Sequence, residues 1–264
     1  MTFLIYIGLG IFAGMLSGIF GIGGGLVIVP TLLFCFKFLG FPEAHVMHLT
    51  IGTSLSIILV TVSNSTYGHY LNKNIEWSIV KKFLGPLIVG AIAGSFVSKD
   101  IAANTLELIF SLYVVLVSIK MFTDIKVERE LKETSSVLYG LVGLIIGFKS
   151  TILGIGGGTI SIPFLSWRGL PMKKAVGISA SLGVPIAIAG TASYIYNGLG
   201  INGLPEYSLG FVYLPALGGV VITSSFFARL GARISHKLPQ QRMKRGFSLF
   251  LMIVAVKMIS GRYL

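Results

Sequence analysis

One stretch of this chain occurs twice. Residues 21–30 read Gly-Ile-Gly-Gly-Gly-Leu-Val-Ile-Val-Pro, and residues 154–163 read Gly-Ile-Gly-Gly-Gly-Thr-Ile-Ser-Ile-Pro. Each copy lies inside a long apolar segment, 3–36 and 137–166. A glycine in a helix interior is worse than alanine by about 1 kcal/mol, so three in a row are expected to open the helix. Opened backbone survives in hydrocarbon only where protein buries it or where it lines a wet cavity. The expectation is therefore two broken helices that meet at a polar site inside a membrane protein.

The membrane assignment rests on composition. Hydrophobic residues make up 54% of the 264 and charged residues only 11%, against about 25% charged in soluble domains. The net charge of +12 does not point to nucleic acid, because the Lys and Arg sit in short loops between apolar runs, as in cytoplasmic loops of membrane proteins. Cys35 is the only cysteine, which excludes an intrachain disulfide and a cysteine metal cluster. No basic region precedes the first apolar run, so segment 3–36 is expected to remain in the mature protein rather than act as a cleaved signal.

A spanning helix needs about 20 apolar residues. After 3–36 come apolar segments at 44–67, 79–98 and 105–123. Residues 124–136, rich in acids, read as a linker. The pattern then restarts with 137–166, 174–196, 208–228 and 246–260. The halves 1–123 and 137–264 correspond beyond the glycines. Gly52-Thr53-Ser54 answers Gly177-Ile178-Ser179, Pro86 and Gly90 answer Pro215 and Gly219, and Phe110-Ser111-Leu112 answers Phe247-Ser248-Leu249. Such duplication is common in transporters, with the site where the repeats meet.

Charge decides the topology. If every segment crosses once, the loop Lys and Arg divide eleven to nine and give no orientation. If each glycine-broken segment instead dips in and returns, sixteen fall on one side and four on the other. The positive-inside rule favours the second arrangement. The fold class expected is an all-α polytopic membrane protein of two inverted repeats, each a glycine-broken re-entrant hairpin plus three transmembrane helices. Both termini lie outside, and the linker and the basic loop 229–245 lie on the cytoplasmic side.

Several residues could carry the chemistry. Backbone amides of Gly21, Gly23, Gly24 and Gly25, and of Gly154, Gly156, Gly157 and Gly158, are candidates to hold an anion at half-helix N-termini. Close helix packing is the competing reading of such glycines, and it suits Gly10, Gly14, Gly140, Gly143 and Gly147. Lys149 precedes the second cluster inside a membrane segment, where an ionisable group is a functional candidate by default; snorkelling to a surface is its competing reading. Ser17, Ser54, Ser150 and Ser179 offer hydroxyls near the same depth, and ordinary interhelical hydrogen bonding is the alternative for each. His45 and His48 stand three apart with only Glu43 nearby, which suits interfacial histidines, open to a proton-coupling role, better than a metal pair. No metal or cofactor is expected. Carboxylates for proton coupling are almost absent from the spans, Glu107 near a segment start being the exception.

The paired turns Gly14 to Pro30 and Gly147 to Pro163, with Gly52-Thr53-Ser54-Leu55 and Ala175-Val176-Gly177-Ile178-Ser179 after them, resemble the sulfite exporter TauE/SafE family, over essentially the whole chain. The chain departs from that pattern at Lys149-Ser150-Thr151, where a small Ser-Gly pair like Ser17-Gly18 would be expected. The resemblance implies a multi-pass carrier in a bacterial or archaeal plasma membrane, for sulfur-containing anions such as sulfite or sulfonates. The expected partners are thus a small anionic substrate and the lipid bilayer, without nucleic acid; a homo-oligomer is left open. With no ATP-binding motif, ion or substrate gradients would drive transport. Two other functions compete. An intramembrane serine hydrolase would need a serine beside a histidine base, yet no Gly-x-Ser-x-Gly elbow is present and no histidine sits mid-span. An anion channel would not show saturable flux.

Overall fold

A computed structural model describes residues 2–20, 24–123, 135–235 and 240–261, without the side chains of 2–4, 17–20, 229, 231–235 and 240–244. The described helices are α1 (Thr2–Phe20), α2 (Gly25–Phe38), α3 (Val46–Leu71), α4 (Trp77–Lys99), α5 (Ala103–Thr123), α6 (Ser136–Leu153), α7 (Gly158–Trp167), α8 (Met172–Gly198), α9 (Leu214–Ser235) and α10 (Gln240–Ser260). Five of them, α3, α4, α5, α6 and α8, are long and apolar enough to cross a bilayer. Shorter apolar stretches run over Ile5–Leu16, Gly25–Phe38 and Leu214–Ala228. The chain is a helical polytopic membrane protein. Most of the linker expected at 124–136 lies outside the described residues; α6 starts after Ser135, whose hydroxyl caps the Val137 N–H at 3.2 Å.

Two expectations need correction. The apolar segment 208–228 does not enter a helix directly. It opens with an antiparallel strand pair, β1 (Ser208–Leu209) and β2 (Val212–Tyr213). Gly210 turns the pair at φ 54°, packed so closely that a Cβ would stand 2.1 Å from the Ile195 carbonyl oxygen. Phe211 is buried there against the His48 ring, at 5.2 Å between centroids, and Val212 and Tyr213 are buried with it. The basic stretch 229–245 is also not all loop: α9 continues to Ser235 and α10 begins at Gln240. Arg, Lys and Gln are good helix formers, so the apolar run marks the hydrocarbon-facing part of each helix and not its ends.

The bundle is held by four principal pairings: α1 on α9, α4 on α6, α3 on α8 and α5 on α10. Exchanging α1–α5 for α6–α10 in order leaves this set unchanged. The pairs α1–α9 and α4–α6 meet through glycines. A Cβ on Gly147 would lie 2.1 Å from the Leu87 carbonyl oxygen, and one on Gly14 would lie 2.7 Å from Ser224 Cα. Small residues let membrane helices approach to backbone contact, where dispersion replaces the missing hydrophobic drive. Gly143 faces Phe83 and Gly147 faces Leu87, so α4 and α6 run parallel. Gly52 faces Tyr194 and Gly183 faces Val62, so α3 and α8 run antiparallel.

In each glycine-broken pair an aromatic ring late in the second helix meets one at the start of the first. Phe164, late in α7, returns to within 5.7 Å of the ring of Tyr139 at the start of α6, and to 6.1 Å of Phe83 early in α4. Phe36, late in α2, likewise meets Tyr6 at the start of α1 at 6.4 Å. At about 1.5 Å per residue, α2 with 14 residues and α7 with 10 are too short to cross the hydrocarbon alone.

Candidate functional site

The glycines break the helices as their conformational cost requires. Helix α6 ends where Gly154 takes the left-handed conformation, φ 66° and ψ 31°, and its N–H turns back to the Ser150 carbonyl. Helix α7 restarts after Gly157, with Ile160 and Ser161 N–H donating to the Gly157 carbonyl. On the other side Gly24, at φ 63°, precedes α2, and Val27 and Ile28 N–H donate to its carbonyl. The N–H groups ahead of those first bonds have no helical acceptor. Both left-handed positions suit glycine, since any other residue there is strained by roughly 1–2 kcal/mol.

The two breaks touch. A Cβ on Gly25 would lie 2.7 Å from Ile155 Cα. Beside this contact lies a cavity of about 260 Å³. Gly24 and Ile28 line it from one break, and Gly156, Gly157, Gly158 and Ile162 from the other. Helix α3 contributes Thr61, Val62 and Ser65, helix α8 contributes Ser179, and α1 and α9 close it with Gly14 and Ser224. Its lining among the described residues has backbone, hydroxyls and apolar side chains but no ionisable group. Such a lining presents dipoles to an anion without the large cost of burying fixed charges.

The expected residues divide between the cavity and its support. Gly24, Gly156, Gly157, Gly158 and Ser179 line the cavity. Ser179 Oγ also receives the Ser161 hydroxyl at 2.8 Å. Ser54 and Gly154 sit behind the wall: Ser54 is fully buried and donates to the Gly154 carbonyl at 2.8 Å, holding the second break in place. Gly25 supports the contact between the breaks. Ser150 is buried, and its hydroxyl meets no partner among the described residues. Lys149 does not line the cavity; its amine lies with Tyr113 and Thr159, across the first turn of α7. Gly21, Gly23 and the Ser17 side chain lie outside the described residues.

Thr61 and Ser224 line the cavity without having stood out in the sequence, and so does Ser65, which the sequence marks only as a cap or wet-edge residue. Ser65 reads there as a span end, because the apolar run stops two residues later while α3 continues to Leu71. His48 stands in the first turn of α3, opposite the end of α4. It is buried, and its Nε2 meets the Ser98 carbonyl oxygen at 3.0 Å. Among the described residues no cluster of three potential metal ligands occurs, and no serine hydroxyl meets a histidine ring of the kind a hydrolase would need.

Known proteins similar in sequence cover nearly the whole chain. The family described as "Sulfite exporter TauE/SafE" matches residues 6–258. A protein of Haemophilus influenzae named "Probable membrane transporter protein" is 41% identical over 255 residues, covering 94% of this chain and 95% of its own. Proteins carrying the same descriptive name in Methanocaldococcus jannaschii and Bacillus subtilis are 29% and 26% identical, covering 95% and 98% of this chain and 92% and 98% of their own. These relatives carry the names of transporters and not of enzymes, and each match covers more than nine-tenths of this chain. The chain belongs to the sulfite exporter TauE/SafE family.

Proposed function

We propose that this protein is a secondary carrier for small sulfur-containing anions, sulfite or organosulfonates, acting by alternating access in the plasma membrane. The observation that carries the reading is the cavity shared by both glycine breaks, with Gly24 on one wall, Gly156–Gly158 on the other and Ser179 between them. Unbonded amides at two helix starts favour an oxyanion. Hydroxyls of Ser65, Ser179 and Ser224 supply further donors. Ser54 and Gly154 keep the second break in shape rather than touching the substrate.

The repeats 1–123 and 137–264 are read as inverted, joined by a cytoplasmic linker at 124–136. Three features support this: the exchange-symmetric helix pairings, the return of α2 and α7 to the starts of α1 and α6, and the one-sided distribution of Lys and Arg. The repeat-related serines stand in unlike surroundings, Ser179 on the cavity and Ser54 sealed against Gly154. That difference is what one state of a two-state carrier would have, with the roles exchanged in the other.

The test is counterflow in proteoliposomes with labelled sulfite and toluenesulfonate, comparing the native chain with Gly158→Ala. A Cβ on Gly158 would lie 3.3 Å from Ser179 Oγ, inside the cavity. Saturable exchange that Gly158→Ala weakens is expected. Linear, unsaturable flux would favour a channel, and exchange of neither anion would refute the substrate class.

A further inference from the structure

One ionisable group of the membrane region is left unused by the anion cavity. Lys149 lies on α6, one turn before the second break. Its amine donates to Tyr113 Oη of α5 at 2.6 Å and to Thr159 Oγ1 of α7 at 2.6 Å, and sits 4.3 Å from the centre of the Tyr113 ring. Tyr113 in turn donates to Thr159 Oγ1 at 2.6 Å. The three groups close a triangle that ties both arms of the broken helix to α5.

No carboxylate belongs to this triangle. The ion pairs among the described residues are Lys37 with Glu107 and Lys174 with Glu76. Glu107 is the acid on α5, and Lys37 takes its Oε2 at 2.7 Å. Of the elements packed against α6, α5 brings Tyr113 to the amine and α7 brings Thr159. On α3 and α8, His48 bonds the Ser98 carbonyl, Tyr194 bonds Ser98 Oγ and the Thr151 carbonyl, and Lys174 bonds Glu76. On α4, Lys82 lies over the Tyr139 ring. A charged amine in a spanning helix, with two neutral hydroxyls and a ring face for company, is an expensive arrangement to keep for packing alone.

The triangle is satisfied in both protonation states of the amine. As an ammonium, Lys149 donates to both oxygens. As a neutral amine it still donates to Thr159, and its lone pair accepts the Tyr113 O–H. A site that gains or loses one charge while keeping its neighbours suits reversible proton binding. Its place matters too, because Thr159 follows Gly158 directly. A change of charge there acts on the helix start that faces the anion cavity, across a single turn of α7.

We propose that Lys149, held by Tyr113 and Thr159, is a proton-binding site that couples proton movement to anion movement. This inference rests on the carrier reading for its anion and adds the coupling ion. In the transfer step an Nζ–H bond breaks, the bonding pair remains on nitrogen, and the proton passes to water on the side to which the carrier is open. The reverse step reloads the amine from the other side. The coupling group is an amine and not a carboxylate.

Two measurements separate this inference from the carrier reading. The first uses no substrate: lysine labelled with 15N at Nζ in the detergent-solubilised chain, the Lys149 resonance being assigned by its loss in Lys149→Met. The resonance is expected to pass reversibly between ammonium and amine as the pH is varied across the range in which transport is measured. An ammonium that persists throughout would overturn the proposal, whatever the carrier does. The second uses proteoliposomes with a trapped pH indicator and an imposed toluenesulfonate gradient. Native protein is expected to change the internal pH as the anion moves. Lys149→Met should move anion without the pH change, and Lys149→Arg should bind anion but stop net flux. A pH change undiminished in Lys149→Met would overturn the coupling role. If the native chain moves no anion, the carrier reading fails and the resonance alone decides the proton site.

Discussion

Replacing Gly25 with alanine tests whether the contact between the breaks positions the anion site. The new Cβ would stand 2.7 Å from Ile155 Cα and 3.0 Å from its Cβ, whereas ordinary contact begins at 3.4 Å. The two breaks must therefore part by about 0.7 Å, and because the obstacle is backbone, no side-chain rotation relieves it. Overpacking of this kind costs about 1–3 kcal/mol. Alanine's better helix propensity offsets up to about 1 kcal/mol of that, so global stability should change little. The site is more sensitive. An N–H···O contact of about 2.9 Å stretched by 0.7 Å is no longer a hydrogen bond, and one bond to a charged group contributes about 1.5–3 kcal/mol. At about 1.4 kcal/mol per tenfold, the KM for toluenesulfonate uptake into proteoliposomes should rise roughly 10- to 100-fold, with protein level and thermal unfolding close to native. Gly218→Ala in α9, where a Cβ would meet nothing within 4 Å, is the matched control. A native KM in Gly25→Ala, or an equal loss in Gly218→Ala, would refute the reasoning.

Lys37→Met should strand the buried Glu107 carboxylate, whose Oε1 has no partner among the described residues, and lower stability by about 3–5 kcal/mol; adding Glu107→Gln should restore most of it, as detergent-solubilised thermal unfolding would report. Gly147→Val must separate α4 from α6, since even a Cβ there lies 2.1 Å from the Leu87 carbonyl oxygen; loss of folded protein by size-exclusion chromatography is expected, and native yield would count against the glycine seam. In a Cys35→Ala background, Ser179→Cys should react with a membrane-impermeant thiol reagent from the side to which the cavity opens, and Ser54→Cys should react only when the opposite state is populated. Equal labelling of both from one side would remove the support these serines lend to alternating access.

The helix breaks were legible because their cause is local. Three adjacent glycines weaken a helix wherever they stand, and positions 24 and 154 take the left-handed conformation that glycine alone adopts without strain. The packing glycines were legible too. Gly10, Gly14, Gly143 and Gly147 lie on helix seams because small residues at helical spacing have little other use. The strand pair at 208–213 was not legible, since apolar residues look alike whether lipid or protein covers them. Nor were the ends of α9 and α10, where hydropathy falls while helix propensity does not.

Class and breakpoints, then, were determined by composition and by backbone energetics within a few residues. Which polar side chain meets which was decided only in three dimensions. Ser54 and Ser179 correspond in sequence, yet one braces the Gly154 carbonyl and the other borders the cavity. Lys149 stands five residues before a glycine cluster that lines the cavity, yet its amine reaches Tyr113 and Thr159 on the far side of α7. A side chain's direction depends on helix rotation and on partners that are distant in the chain. Those are set by the packing of glycine seams across the whole bundle, which no local stretch encodes.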